Sequence, residues 1–259
     1  SYRWDGNLKR YKLGGNGSMI LDANNVGAVD PSTGFFKAEA KSFWSPTVDG
    51  KSAVLGGAAS MLPAPDGANS RKMFTYMGSL ASKNVALTPI DLNSSTFNSS
   101  AKTATGVSDN ATYTNLMNWY KGYEVSSLYD GLETPTVERK QLGAALHSEP
   151  ILVNYGYTGT LADANNPDNQ KNYVFFSTLE GTLHAIDAKT GKEKFSFIPG
   201  EKLATLKDRY DNPMAGLPEF GMDLTWNAWR KDADATGQID AGDKVYLYGG
   251  MRMGGKHYY

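Results

Sequence analysis

The sequence predicts an all-β fold, and three observations carry that prediction. Aromatic residues make up 12% of the 259 residues, and 28 glycines and 11 prolines supply frequent turns. Apolar stretches of strand length at 172–179, 182–187 and 194–197 are separated by short turns that contain Gly181 and Gly191. Strands joined by such turns pair as an antiparallel meander, the unit of a propeller blade. The sequence therefore favours a β-propeller over a helical bundle or a disordered chain.

Other segments extend this plan along the chain. Apolar runs at 71–76, 151–153 and 244–250 predict further strands. Short helices are expected at 114–124 and 201–210, because apolar residues recur there at three- and four-residue steps. We therefore expect an all-β chain with long loops and short inserted helices.

A polar stretch around 87–114 is predicted to be a long surface loop. It is rich in Ser, Thr and Asn, which favour turns over packed elements. Its Asn-x-Ser/Thr tripeptides would be glycosylation acceptors in a eukaryotic secreted protein, but a plain polar loop is the favoured interpretation.

The length favours one domain over the whole chain, 1–259. Propellers and barrels often exceed the ~150 residues of an average domain. The chain starts Ser-Tyr-Arg-Trp, without a basic-then-apolar leader, and a further strand is predicted to begin at its end. We therefore expect an incomplete propeller, excised or processed from a longer chain.

Charge and composition exclude several function classes. Lysine and arginine total 26 against 27 acidic residues, so the net charge of −1 speaks against a polybasic nucleic-acid binder. The chain has no window of 18 consecutive apolar residues, so it is not expected to span a membrane. It also has no cysteine and only three scattered histidines, which excludes thiolate metal sites and disfavours a zinc enzyme.

The segment 232–243 has the register of a calcium-binding loop. Calcium takes six to eight oxygen ligands, and an EF-hand loop supplies them from positions 1, 3, 5, 7, 9 and 12 around a glycine at position 6. Gly237 stands at position 6. The residues at the six ligand positions are Asp232, Asp234, Thr236, Gln238, Asp240 and Asp243.

Each residue of this loop has an expected role. The first three ligands would give side-chain oxygens, Gln238 its backbone carbonyl, and Asp240 a direct or water-bridged contact. Asp243 is one methylene shorter than the usual glutamate, which weakens bidentate closure, and a strand follows it, so we expect a loop within a β-domain and no EF-hand pair. The alternative is an exposed polar loop whose aspartates form turns. The shared register, and the repulsion among carboxylates that a divalent ion relieves, favour calcium.

Two other groups of residues have weaker claims to a function. His147, Ser148 and Glu149 are adjacent, and neighbours on a strand point to opposite faces, so they are not expected to form a triad. Trp226 and Trp229 would suit an adhesive aromatic surface, but packing in the core is the favoured interpretation.

The segment 177–195 resembles a quinoprotein-type propeller repeat. In that repeat, a glycine turn leads into an apolar strand that ends in Asp, followed by a Thr-Gly turn and an aromatic residue. This resemblance implies architecture and no chemistry. Asp187 is expected to bond to the backbone of the turn near Thr190. The matching residues are Gly181, Leu183, Ala185, Ile186, Asp187, Thr190, Gly191 and Phe195.

Many short segments outside the polar loop occur in an order that is typical of one narrower family. Besides the repeat, these segments are 6–11, 20–23, 42–45, 56–59, 142–143, 147–150, 197–199, 203–212, 220–223 and 249–255. By their shared order, most of the chain resembles the propeller region of the type IV pilus tip-associated biogenesis proteins and adhesins of the PilC/PilY type.

The resemblance implies a non-enzymatic protein at the bacterial cell surface, exported through the periplasm and outer membrane to the pilus tip. Members of this family assist pilus assembly, oppose retraction in a calcium-dependent way, and so affect twitching motility. Their partners are minor pilins, and they contribute to attachment to host or other surfaces. Two alternatives remain open: a quinone-dependent dehydrogenase that shares the blade repeat, and a purely structural scaffold of the cell envelope.

Overall fold

The structure is a computed structural model that describes residues 4–15, 17, 19–78, 85–213 and 220–259. Their regular elements are mostly strands with few short helices, which is consistent with the predicted all-β class. The strands are β1 (Asp5–Gly6), β2 (Lys12–Leu13), β3 (Ile20–Leu21), β4 (Met73–Tyr76), β5 (Thr88–Pro89), β6 (Leu142–Gly143), β7 (Ile151–Tyr157), β8 (Gln170–Ser177), β9 (Leu183–Asp187), β10 (Glu193–Pro199), β11 (Asn227–Lys231) and β12 (Lys244–Tyr248).

Within the described residues, four α-helices and four short 3-10 turns connect the strands. The helices are α1 (Gly57–Ser60), α2 (Ser95–Thr105), α3 (Asn110–Lys121) and α4 (Leu206–Asp211). The 3-10 turns are Leu161–Asp163, Pro167–Asn169, Gly200–Thr205 and Arg252–Gly254.

The predicted antiparallel meander is confirmed. Strands β7, β8, β9 and β10 are neighbours in sequence and in the sheet, and each pairs antiparallel with the next. Asp187 has the predicted turn role, because its carboxylate accepts hydrogen bonds from the backbone N–H groups of Lys189 and Thr190 at 2.9 and 2.8 Å. Gly191 completes the turn with a φ of 74°, a value that favours glycine.

The full sheet is larger than the meander, and it is mixed. Its order is β5-β4-β10-β9-β8-β7, and β4 runs parallel to β10. The remaining described strands form three two-stranded sheets, so the described residues contain no closed barrel and no propeller. The repeat pattern in the sequence predicts the meander alone. It does not predict the pairing of β4 with β10, because these strands are more than a hundred residues apart.

Part of the predicted polar loop around 87–114 is helical, and the loop prediction is wrong there. Ser94 caps α2 by accepting a hydrogen bond from the N–H of Phe97, and Gly106 ends the helix with a φ of 68°. Phe97 and Ala101 are buried one turn apart on the same face. Most Ser, Thr and Asn residues of α2 face solvent, so the polar composition of the segment does not reveal its buried apolar residues.

The two predicted helices are confirmed with shifted boundaries. α3 begins before the predicted residue 114, because the carboxylate of Asp109 caps it by accepting from the N–H of Thr112 at 2.8 Å. The second predicted helix, at 201–210, consists of the 3-10 turn Gly200–Thr205 followed by α4.

Both faces of the six-stranded sheet are covered by other parts of the chain. On one side, α2, α3 and α4 pack on β4 and β10 through a cluster that includes Leu116, Met117 and Ile198. The other side carries Phe175 and Leu183, together with more residues from the sheet and the C-terminal segment, among them Met222, Trp226 and Met251. This second cluster anchors β11 and β12, and with them the 232–243 loop.

Candidate metal-binding loop

The 232–243 loop connects the two strands of a hairpin. β11 and β12 pair in register from Asn227 opposite Tyr248 to Lys231 opposite Lys244. On one face of the hairpin, Val245 and Leu247 pack against the C-terminal core cluster. The sequence alternates apolar and polar residues over 244–248, as a half-buried strand requires.

Three of the six predicted ligands converge in the loop. One carboxylate oxygen from each of Asp232, Asp234 and Asp243 lies within 4.8 Å of the other two. Calcium–oxygen bonds of about 2.3–2.6 Å place the ligands of one ion within about 5 Å of each other. One oxygen from each of the three carboxylates is therefore close enough to the other two to contact a single cation.

Backbone N–H groups hold two of these carboxylates in place. Asp232 accepts hydrogen bonds from the N–H groups of Thr236 and Gly237, at 3.1 and 2.8 Å. Asp243 accepts from Ala233 and from Asp240, at 2.8 and 3.1 Å. The loop is thus folded around its own acidic groups.

The sharp course of the loop depends on left-handed backbone conformations. Ala235, Gly237 and Gly242 have φ values of 58°, 79° and 108°. Gly237 stands at the position where the calcium-loop register requires a glycine, because a left-handed turn there suits a residue without a Cβ. Ala235, two positions earlier, is the strained residue. Its left-handed φ is uncommon for residues other than Gly, Asn and Asp.

The acidic groups repel one another in the absence of a counter-ion. Partial desolvation and then the charges of Asp234, Asp243 and Asp232 raise the pKa of Asp240. The pKa of Asp232 is lowered instead: desolvation would raise it, but the hydrogen bonds from the backbone N–H groups of Gly237 and Thr236, together with the charge of Arg230, outweigh that effect. Asp240 therefore lies within the electrostatic field of the other three carboxylates, although it is not one of the converging group.

The other two predicted ligands have local partners. The hydroxyl of Thr236 accepts from the N–H of Gln238 at 3.3 Å. The amide oxygen of Gln238 accepts from the N–H of Tyr157 at 3.2 Å, so that side chain faces β7. This orientation agrees with the expectation that only the backbone carbonyl of Gln238 would serve a cation.

The loop is docked on the edge of the large sheet. The N–H of Ile239 donates to the carbonyl of Tyr155 at 3.1 Å. Gly156 has a φ of 106°, and a Cβ there would lie 2.5 Å from the amide oxygen of Gln238. Only glycine fits this contact. The contact joins residues about eighty positions apart, so the loop sequence contained no signal for it.

Arg230 contacts the candidate loop, and the sequence analysis did not identify it. Its guanidinium donates to the carbonyl of Gly237 at 2.9 Å and lies 3.5 Å from a carboxylate oxygen of Asp232. It precedes the predicted loop, and the loop register assigns no position to it. Arg230 supplies part of the positive charge that the acidic loop needs.

A second polar cluster joins three segments that carry the family resemblance. The ring of His147 lies 2.9 Å from both carboxylate oxygens of the buried Asp223. Arg252 approaches the same carboxylate at 3.5 Å. Ser148 does not join His147, because its hydroxyl accepts from the N–H of Ser177 inside the sheet. Segments 147–150, 220–223 and 249–255 therefore contact one another in the fold.

The two tryptophans near the hairpin have different environments. Trp226 is buried against Gly249, as predicted for a core residue. The same prediction is wrong for Trp229, which is 48% exposed. The three-residue spacing spans the start of β11, where alternation along the strand sets Trp229 on the outer face.

No family model, curated protein or solved structure matches the chain in comparisons with known proteins.

No helix in the described part of the chain has both the length and the apolar character needed to cross a bilayer.

Proposed function

We propose that the chain binds calcium through the 232–243 loop and acts, without enzymatic activity, as part of a type IV pilus tip protein. The convergence of Asp232, Asp234 and Asp243 within 4.8 Å carries the calcium part of this proposal. Four aspartates in one loop supply the hard oxygen ligands that calcium prefers. The pilus part rests on the family resemblance.

The β7–β10 meander is proposed to be one blade of a propeller. A four-stranded antiparallel unit with this strand order is the repeating element of that architecture. The contacts among 147–150, 220–223 and 249–255 support the resemblance, because segments matched separately in the sequence form one structural unit.

Calcium would act by stiffening the hairpin. The ion would tie Asp232 at the end of β11 to Asp243 at the start of β12, and it would remove the repulsion that raises the pKa of Asp240. Because the loop is hydrogen-bonded to β7, the stiffening would reach the edge of the blade. In the proposed role, this change controls the surface that supports pilus assembly, restrains retraction and mediates adhesion to host or other surfaces.

Calorimetric titration of calcium into the chain tests the proposed ion site. We expect one ion per chain, with a Kd on the order of 10⁻⁴–10⁻³ M, as in extracellular calcium modules. The Asp234→Ala, Asp240→Ala double variant is expected to bind at least about tenfold more weakly, because two of four carboxylates are lost. Asp130→Ala is the matched control, since it removes an exposed carboxylate outside the loop. Absence of binding by the unsubstituted chain would refute the proposal.

The pilus role has a separate test in bacteria. The double variant, introduced into the chromosomal gene, is expected to change pilus number and twitching, and the protein is expected to co-purify with sheared pili. Normal piliation and motility in that strain would remove the regulatory role and leave the ion site standing.

A further inference from the structure

The outer face of the β11–β12 hairpin carries a row of three aromatic rings. Trp229 lies directly opposite Tyr246, with ring centroids 5.5 Å apart and planes inclined by 35°. Tyr248 follows on the same face, 6.3 Å from Tyr246 with an angle of 25°. The three side chains are 48%, 42% and 54% exposed, in the order Trp229, Tyr246 and Tyr248. Contiguous exposed aromatic surface of this kind marks a binding site more often than chance exposure.

The orientation of this face is fixed by the packing beneath it. Val245 and Leu247 alternate with the two tyrosines and pack into the core cluster that contains Trp226. The rings therefore cannot turn inward without removing these residues from the core. The row is a shallow surface, and two cavities of about 1130 and 520 Å³ elsewhere in the described residues include no hairpin residue.

Two lysines extend the row towards the loop. Lys231 lies directly opposite Lys244, on the same face as Trp229 and Tyr246. Neither ammonium group has an ion-pair partner within the described ranges. Like charges directly opposite each other destabilise a sheet, so this pair costs stability unless an anion lies between the lysines. Asp232 and Asp243, the next residues outward, alternate to the other face.

We propose that this face binds an anionic polysaccharide. The flat rings suit stacking against the C–H faces of successive sugar rings, and their separations are comparable with the length of one pyranose unit. Asn227, opposite Tyr248, and the two phenol groups offer hydrogen bonds to hydroxyls. Lys231 and Lys244 provide charge complementarity for a carboxylate or sulfate on the sugar. This inference goes beyond the proposed function, since it requires neither calcium nor a pilus.

Single-stranded nucleic acid is the other polymer that stacks on aromatic rings beside cations. The chain disfavours it, because its net charge is −1 and an acidic loop of four aspartates adjoins the hairpin. A phosphate backbone with a charge on every nucleotide would meet repulsion there, whereas a polysaccharide with sparse charges would not.

Affinity electrophoresis of the full chain through gels that contain hyaluronan, which carries a carboxylate on every second sugar, tests the proposal, with dextran as the neutral polymer. We expect retardation by hyaluronan that weakens with salt, and at least about tenfold weaker binding by Trp229→Ala, Tyr246→Ala. The Lys231→Gln, Lys244→Gln variant keeps the rings, so it is expected to fold normally and to lose the preference for hyaluronan over dextran. Phe35→Ala is the matched control, because it removes an aromatic side chain that is 75% exposed in another part of the chain.

Three results would overturn the proposal. The first is no retardation of the unsubstituted chain by either polysaccharide. The second is equal binding by the ring variant when its thermal midpoint matches that of the unsubstituted chain. The third is stronger binding to oligothymidylate or polyglutamate than to hyaluronan, which would assign the face to nucleic acid or to an acidic protein. Because no calcium is added, failure of this test leaves the calorimetric test of the loop unaffected.

Discussion

Glu193 shows, at the residue scale, how a charge is kept inside this protein. Its carboxylate accepts from Arg71 at 2.8 and 3.0 Å and lies 2.7 Å from the ring nitrogen of His184. Burial alone would raise the pKa of Glu193, but the charge of Arg71 and the contact with His184 outweigh it and lower the pKa from 4.5 to about 2. The two partners, Arg71 and His184, come from separate parts of the chain, so this cluster ties β9 and β10 to the segment before β4.

This buried carboxylate predicts an acid-dependent loss of stability. A depressed folded-state pKa contributes stability that is present above the unfolded value of 4.5 and is lost as pH falls towards about 2, since the unfolded chain binds the proton first. Glu193→Gln is expected to cost about 3–5 kcal/mol at pH 7 and to make the pH dependence in this window shallower.

Urea unfolding across a pH series measures both effects. Glu124→Gln is the control, because this glutamate is exposed, and its effect should stay within about 0.5 kcal/mol. An unchanged acid profile for Glu193→Gln would show that other carboxylates govern unfolding in acid.

At the scale of the element, a helix or strand can be predicted from sequence when the residues that specify it lie within its own segment. The meander was predictable because each turn carries its own glycine or aspartate and each strand its own apolar run. α2 was missed because its buried residues are few and its polar side chains dominate the composition, although Ser94 and Gly106 mark both of its ends.

The cap of α2 predicts a measurable cost. Ser94→Ala removes the acceptor for the N–H of Phe97 and is expected to lower the free energy of unfolding by about 1 kcal/mol. Ser100→Ala, an exposed change inside the same helix, should be neutral or slightly stabilising, because alanine favours helices. Chemical denaturation of both variants gives the difference. Equal effects of the two changes would mean that the cap does not stabilise the helix.

At the scale of the whole molecule, the strands differ in how far they are shielded from water. β9 and β10 lie inside the six-stranded sheet with covered faces, whereas all five residues of β11 are exposed. Opening of the hairpin exposes little apolar surface, and opening of the meander exposes most of the core.

Hydrogen exchange followed by mass spectrometry is expected to report this difference. Peptides from β9 and β10 should exchange at least about tenfold more slowly than peptides from β11, because they open only with the whole sheet. Calcium is expected to slow exchange in 227–248 and at the β7 edge of the sheet, and to leave β9 and β10 unchanged. Uniform exchange across the chain, or a calcium effect confined to the meander, would contradict this picture.

The sequence by itself determined the features that arise within short segments of the chain. These are the strands and turns of the meander, the two helices with clear periodicity, and the 232–243 register, whose converging aspartates lie within twelve residues of each other. Turn geometry, helix capping and strand alternation depend on residues that are close in sequence, so these features can be predicted without knowledge of the fold.

Only the tertiary structure decided the features that depend on distant partners. The parallel pairing of β4 with β10, the docking of the loop on Gly156, the contact between His147 and Asp223, and the outward face of Trp229 are of this kind. Each joins segments far apart in sequence or depends on which face the core covers. The physical reason is that burial is a property of the assembled molecule, and no local pattern states which of two faces will be buried.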